Sequence, residues 1–241
     1  MVVRLSLLAA SSADLLSQLA ATDITVPLRT EGRTTEHCER YTTARMLSTL
    51  AGTPLIQYPL KVEHRDKPDF VLHYPTKQIG IECTEAVSDE WAHIDAIRER
   101  EFPDSMIMLP MLKPGERTLT NAQRAEIAGG RGAGPPWVGN MTERQWADAI
   151  SHFVGRKTKK LREGVYDLDR ETWLLIQDEW RVPVYRPEDR LEAADLCIAQ
   201  LDGHLAAPAF SRIYVADSKW LLRLAPGPVE MLPIQDLWRG Q

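Results

Sequence analysis

Two short apolar runs, Phe70-Val71-Leu72 and Ile79-Gly80-Ile81, flank Pro75-Thr76, and no other stretch constrains the chain as tightly. Alternating runs on either side of a turn signal read as a β-hairpin. If Tyr74 pairs with Lys77 across that turn, Phe70 faces Ile81 and Leu72 faces Ile79, which gives one face a matched apolar surface. Side chains alternate between the two faces, so a slip of one residue would turn the whole apolar set away from the core. Pro-Thr is a poor two-residue turn, and a longer loop or a bulge is the alternative connection.

The same register sets Asp69 opposite Glu82 on the other face. Directly opposed side chains in an antiparallel pair have Cβ atoms about 5 Å apart, where like charges destabilise the sheet unless something compensates. A divalent cation would do so. Two carboxylates are hard oxygen ligands of the kind that hold Mg²⁺ while it keeps several waters. The alternative is an ordinary edge hairpin with two solvated acids.

Composition narrows the function classes. The 241 residues suffice for one α/β domain, with a hydrophobic content of 44% and a charged content of 26%, both ordinary for a globular protein. No apolar run approaches the length of a membrane span. Residues 1–10 resemble a weak signal peptide, but a capped helical pattern follows directly, so a strand and then a helix is the expectation. Cys38, Cys83 and Cys197 lack paired spacing, which favours core thiols in a reducing, cytoplasmic compartment and argues against zinc. A net charge of −5 argues against coating nucleic acid by bulk attraction and leaves room for a local basic patch.

In chain order, Val2–Leu8 is expected as a strand and Ser12–Leu19 as a helix. Thr34 and Thr35 cap a helix reaching Leu50, with Tyr41, Ala44, Leu47 and Leu50 at helical spacing. Leu55–Val62 is a strand that Pro59 pushes towards an edge or a bulge. A helix is expected over Ala86–Arg100, followed by a proline- and glycine-rich insertion over about 101–141, in which Arg131 and Trp137 could meet phosphate and base. Flexible loop is the plainer reading of that segment, and no strand-to-helix GxGxxG fingerprint supports a dinucleotide site.

Thr142 caps a helix from Glu143 to about Gly164, in which Trp146, Ile150, Phe153, Lys157 and Leu161 share one stripe, so Lys157 sits in an apolar row. Around it, Arg156, Lys157, Lys159, Lys160 and Arg162 form a basic run that could grip a phosphate backbone, although lysines near a helix C-terminus also suit the dipole. Thr172–Gln177 reads as a buried strand, Asp178 and Glu179 as solvated acids at its end, Pro187 as a helix start, and 211–224 as a closing hairpin around Asp217-Ser218.

Pro68-Asp69, then Glu82-Cys83-Thr84, preceded by a helix carrying glutamates, resembles the PD-(D/E)XK nuclease superfamily over about residues 34–180. The resemblance implies a restriction-endonuclease-like core. It also implies an Mg²⁺ or Mn²⁺ held by Asp69, Glu82 and the Cys83 carbonyl, and a helix glutamate, Glu39 or Glu36, turned towards the site. Acids in a first helical turn are equally what the helix dipole favours. The third motif residue of that family is usually lysine, and this chain has Thr84 there, which could instead hold a water. In some relatives the lysine comes from a neighbouring helix, a role that Lys157, or alternatively Lys160, would fill.

The expectation is therefore an α/β fold with a mixed central β-sheet flanked by helices. Its single domain would span 1–241, with a core at about 34–180 and a C-terminal helix and hairpin over 187–231. The expected activity is Mg-dependent phosphodiester hydrolysis of nucleic acid, DNA before RNA, with Asp69, Glu82, Lys157 and Glu39 at the centre. Arg156, Lys159, Lys160 and Arg131 would contact the nucleic acid, and a homodimer is left open. The main alternative is a nuclease-fold binding or regulatory module without chemistry. A small-molecule hydrolase finds no support, since neither a Gly-x-Ser-x-Gly elbow nor metal-spaced histidines occur.

Overall fold

The hairpin closes as the apolar pattern requires. The Tyr74 N–H donates to the Lys77 carbonyl at 2.9 Å, Phe70 pairs with Ile81 and Leu72 with Ile79. All four side chains are buried in one core. The computed structural model describes residues 4–107, 112–115, 119–131, 137–163, 171–182, 186–206 and 209–239. Its strands are β1 (Ser6–Ala9), β2 (Leu60–His64), β3 (Phe70–His73), β4 (Gln78–Ala86), β5 (Glu171–Asp178), β6 (Arg212–Ala216), β7 (Trp220–Leu224) and β8 (Glu230–Pro233). The helices are α1 (Ser12–Ala20), α2 (Thr35–Leu50), α3 (Asp89–Glu101), α4 (Asn121–Ala128), α5 (Met141–Arg162), α6 (Pro187–Gln200) and α7 (Asp202–Ala206).

The strands form one mixed sheet in sequential order. β1 to β4 and β6 to β8 are antiparallel, while β4, β5 and β6 run parallel. Parallel neighbours need crossovers, and α5 and α6 supply them. Strand alternation then sorts the two faces. Ile79, Ile81 and Cys83 of β4 and Trp173 and Leu175 of β5 share a core with Leu47 and Leu50 of α2 and Leu15 and Leu19 of α1. Leu174 and Ile176 of β5 join Trp146, Ile150 and Phe153 of α5 and Ala193, Ala194 and Cys197 of α6. The result is an α/β fold whose mixed sheet is covered on both faces.

The structure corrects several element boundaries. β2 begins at Leu60, not at Leu55, because Pro59 offers no N–H to the ladder. α3 begins at Asp89, because β4 continues to Ala86 against β5 and Ser88 Oγ then caps the helix by accepting from the Trp91 N–H. The segment 101–141 is not simply a loop. Thr120 and Gln123 form a capping box that starts α4, and Ala128 is buried with Trp91, Ile94 and Leu112 in a small third core. The surrounding prolines and glycines conceal that box in the sequence. β8, which the expected closing hairpin omits, extends the sheet by one short strand ending in proline.

The β1 edge is covered by a side chain. Gln18 of α1 accepts from the Leu8 N–H at 3.3 Å and donates to the Leu8 carbonyl at 2.7 Å, completing the ladder as a neighbouring strand would. Open edges invite pairing between chains. Gln18→Ala is therefore expected to cost about 1–2 kcal/mol in denaturant titration and to increase self-association in sedimentation. An unchanged midpoint and an unchanged sedimentation coefficient would mean that the amide does not guard the edge.

Candidate active site

Asp69 directly precedes β3 and lies across from Glu82 in the middle of β4. β3 starts at Phe70 while β4 runs on to Ala86 against β5, so the two carboxylates sit at a step in the sheet. The Cys83 N–H donates to Asp69 Oδ2 at 2.6 Å, which ties the acid to the neighbouring strand. Asp69 is 9% exposed. Its carboxyl is pushed up to about 8, first by burial and then by the negative charges of Glu82 and Glu39, with the Cys83 N–H and Lys157 pulling the other way.

Lys157 reaches this pair from α5. Its position in the stripe of Trp146, Ile150, Phe153 and Leu161 turns it onto the sheet, and Nζ donates to Glu82 Oε1 at 2.6 Å. The Lys157 and Glu82 side chains are 12% and 4% exposed, so this is a buried ion pair. Lys160, the alternative, is exposed on the same helix and faces solvent. Arg156 lies 4.8 Å from the Phe153 ring centroid, and Lys159 pairs with Glu163 at 3.8 Å. The basic run thus divides: Lys157 turns in, while Arg156, Lys159 and Lys160 stay on the surface. Arg131 is exposed just beyond α4 and none of its described contacts reaches the carboxylates. Trp137 packs against the core between α5 and α6.

The two helix glutamates also part ways. Glu36 faces Arg4 at 3.7 Å near the surface. Glu39 points inward, pairs with His64 Nε2 at 3.1 Å, and its charge bears on Asp69. His64 stacks on Phe70 with ring centroids 4.2 Å apart. Sequence reasoning missed His64, although Leu60, Val62 and His64 alternate in β2 and so share its buried face. Among the described residues no three His, Cys, Asp or Glu side chains converge on one metal position. What converges is the carboxylate pair, with Glu39 held off by His64.

Thr84 borders a cavity of about 20 Å³ with Glu39, Cys83, Thr42 and Gln177. That is room for one water. All three cysteines are free and buried, and burial raises each thiol, Cys38 and Cys197 to about 12, so they serve as core residues. Asp178, expected to be solvated, is instead buried. It accepts from Trp146 Nε1 and from Arg190, both at 2.7 Å, and Arg190 also reaches Asp217 at 2.9 Å. The physical reason is that α5 and α6 both close over the end of β5 and bring these partners from distant parts of the chain. No helix among the described residues is long and apolar enough to cross a membrane.

Comparison with known proteins adds no relative: no family model, no curated protein and no solved structure matches this chain.

Proposed function

We propose that the chain is a PD-(D/E)XK-like phosphodiesterase that uses Mg²⁺ or Mn²⁺ to hydrolyse nucleic acid at Asp69, Glu82 and Lys157. One observation carries this reading: the α5 lysine, which the sequence places in an apolar row, ends 2.6 Å from the carboxylate that the hairpin register sets against Asp69. A structural helix lysine would reach past its apolar neighbours to solvent. The donor set suits a small hard cation, since two opposed, mostly buried carboxylates with waters are a common Mg²⁺ environment. Burial, and after it repulsion from Glu82 and Glu39, pushes Asp69 up to about 8, and a cation would relieve the repulsion.

Asp69, Glu82 and the Cys83 carbonyl would hold the ion, which when bound supplies charge stabilisation at the phosphate and a more acidic water. Asp69 must give up its proton to become a ligand. Lys157 holds Glu82 in place and presents a hydrogen-bond donor beside the pair, where it would orient the attacking water. Glu39, fixed by His64, keeps the local potential negative, which favours positive charge at the pair, a proton on Asp69 or a bound cation in its place. Arg156, Lys159 and Lys160 on the outer turns of α5 would meet the phosphate backbone, preferentially of DNA. Buried free thiols suit a reducing, cytoplasmic setting.

The second reading, a binding module without chemistry, is favoured by the closure of the centre, in which Glu82 is engaged by Lys157 and Asp69 is buried. The test combines cleavage with a binding readout. Millimolar Mg²⁺ or Mn²⁺ is expected to support cutting of single- or double-stranded DNA or RNA and to raise the melting temperature of the wild type. Glu82→Gln is expected to lose at least about 100-fold in cleavage, as removal of a metal-site partner does, together with most of the thermal shift. Equal shifts in both proteins and no cleavage by the wild type would leave only the binding module.

A further inference from the structure

The carboxyl ends of β5 and β6 open into a cleft of about 520 Å³, walled by Tyr41 and Arg45 of α2, by Gln177 to Val182 and by Arg190 and the Ala216–Ser218 turn. Open sheets with parallel strands bind ligands at this end, and the volume falls in the range of small-molecule sites. Three arginines and three carboxylates line it, and most are already engaged. Arg190 is shared by Asp178 and Asp217. Arg45 gives its two terminal nitrogens to the Asp217 and Ser218 carbonyls at 2.9 and 2.7 Å, while its guanidinium lies 5.0 Å from the Tyr41 ring centroid.

Two charged groups remain for a ligand. Glu179 accepts from Gln177 Nε2, and among the described residues no lysine or arginine lies within ion-pair distance of it. Burial raises its carboxyl, against the hydrogen bond from Gln177 and the charges of Arg33 and Arg181, which pull the other way. Arg181 is 37% exposed and meets Asp95 through one terminal nitrogen at 2.8 Å, which leaves further N–H donors. The cleft adjoins the candidate active site: Thr42 and Gln177, hydrogen-bonded to each other at 2.7 Å, line both the cleft and the small cavity bordered by Glu39, Cys83 and Thr84.

We propose that this cleft takes an unstacked guanine base of the nucleic acid that reaches the Asp69–Glu82–Lys157 centre, an inference that rests on the nuclease reading. Guanine combines what the cleft asks for: a flat face for Tyr41, adjacent ring and amino N–H donors for the Glu179 carboxylate, and O6 and N7 acceptors for the Arg181 guanidinium. Adenine would set a ring nitrogen lone pair against Glu179. Cytosine and uracil each offer a single N–H position beside an acceptor. A base must leave its stack to enter, so single-stranded or distorted substrate is preferred over intact duplex.

The test uses the full chain without metal and reads binding alone. In calorimetric titration, guanosine 5′-monophosphate is expected to bind at least about 10-fold more tightly than the adenosine, cytidine and uridine monophosphates. Glu179→Gln and Arg181→Gln are each expected to lower guanosine monophosphate affinity by about 10-fold and to erase the preference, with native circular dichroism. Should one variant fail to fold, the other decides. Equal affinity for the four nucleotides, or selectivity that survives both substitutions, would overturn the assignment. Tighter binding of a zwitterionic amino acid than of any nucleotide would overturn it too. Selective guanine binding without cleavage would sink the nuclease reading and leave the cleft; cleavage without selectivity would do the reverse.

Discussion

Lys157→Met is expected to destabilise the protein by about 3–5 kcal/mol and to abolish cleavage. Lys157 and Glu82 form a buried pair, and removing one partner leaves an uncompensated charge in a poorly solvated site. The magnitude comes from that stranded charge and not from the bond itself. The double variant Lys157→Met/Glu82→Leu, which replaces both charges with apolar groups, should therefore recover most of the lost stability and stay inactive. Denaturant titration reads the first effect and a metal-dependent cleavage assay the second. If Lys157→Met is as stable as the wild type, the pair does not form in solution. If it cleaves like the wild type, the helix lysine has no part in the chemistry.

A second large effect is expected from pH. Asp69 is raised from 3.8 to about 8 in the folded protein, so folding favours its protonated form. The stabilising contribution of such a carboxyl is complete below about pH 4, where both states carry the proton, and is lost as pH rises through about 8. At about 1.4 kcal/mol for each pH unit, the change across that window is on the order of 5 kcal/mol. Asp69→Asn keeps an acceptor for the Cys83 N–H and cannot ionise. It should match the wild type near pH 4 and exceed it by several kcal/mol at pH 9. Adding Mg²⁺ at pH 8 should narrow that gap, because a cation stabilises the ionised carboxylate. A difference between the two proteins that stays constant from pH 4 to 9 would show that Asp69 titrates normally.

The hairpin register was legible in the sequence because its determinants are local. Phe70, Leu72, Ile79 and Ile81 match only in one alignment, and that alignment fixes Asp69 against Glu82. The inward turn of Lys157 was legible for a similar reason, since a helix repeats every 3.6 residues and its apolar neighbours define the buried stripe. α4 was not legible, because its capping box lies among turn residues and its core partners, Trp91 and Ile94, come from another helix.

What only the tertiary structure decided are the meetings of distant residues. Glu39 is drawn to His64, Asp178 to Arg190 and Trp146, and Lys157 to a carboxylate 75 positions away. Periodicity says which face a side chain occupies, but not what lies opposite. The opposing group is fixed when α2, α5 and α6 dock onto the sheet, a choice made by the packing of whole apolar faces in which each polar residue is carried along. The carboxylate pair was thus written into the hairpin, whereas the lysine on it, the histidine behind it and the cleft beside it were settled by how the layers close.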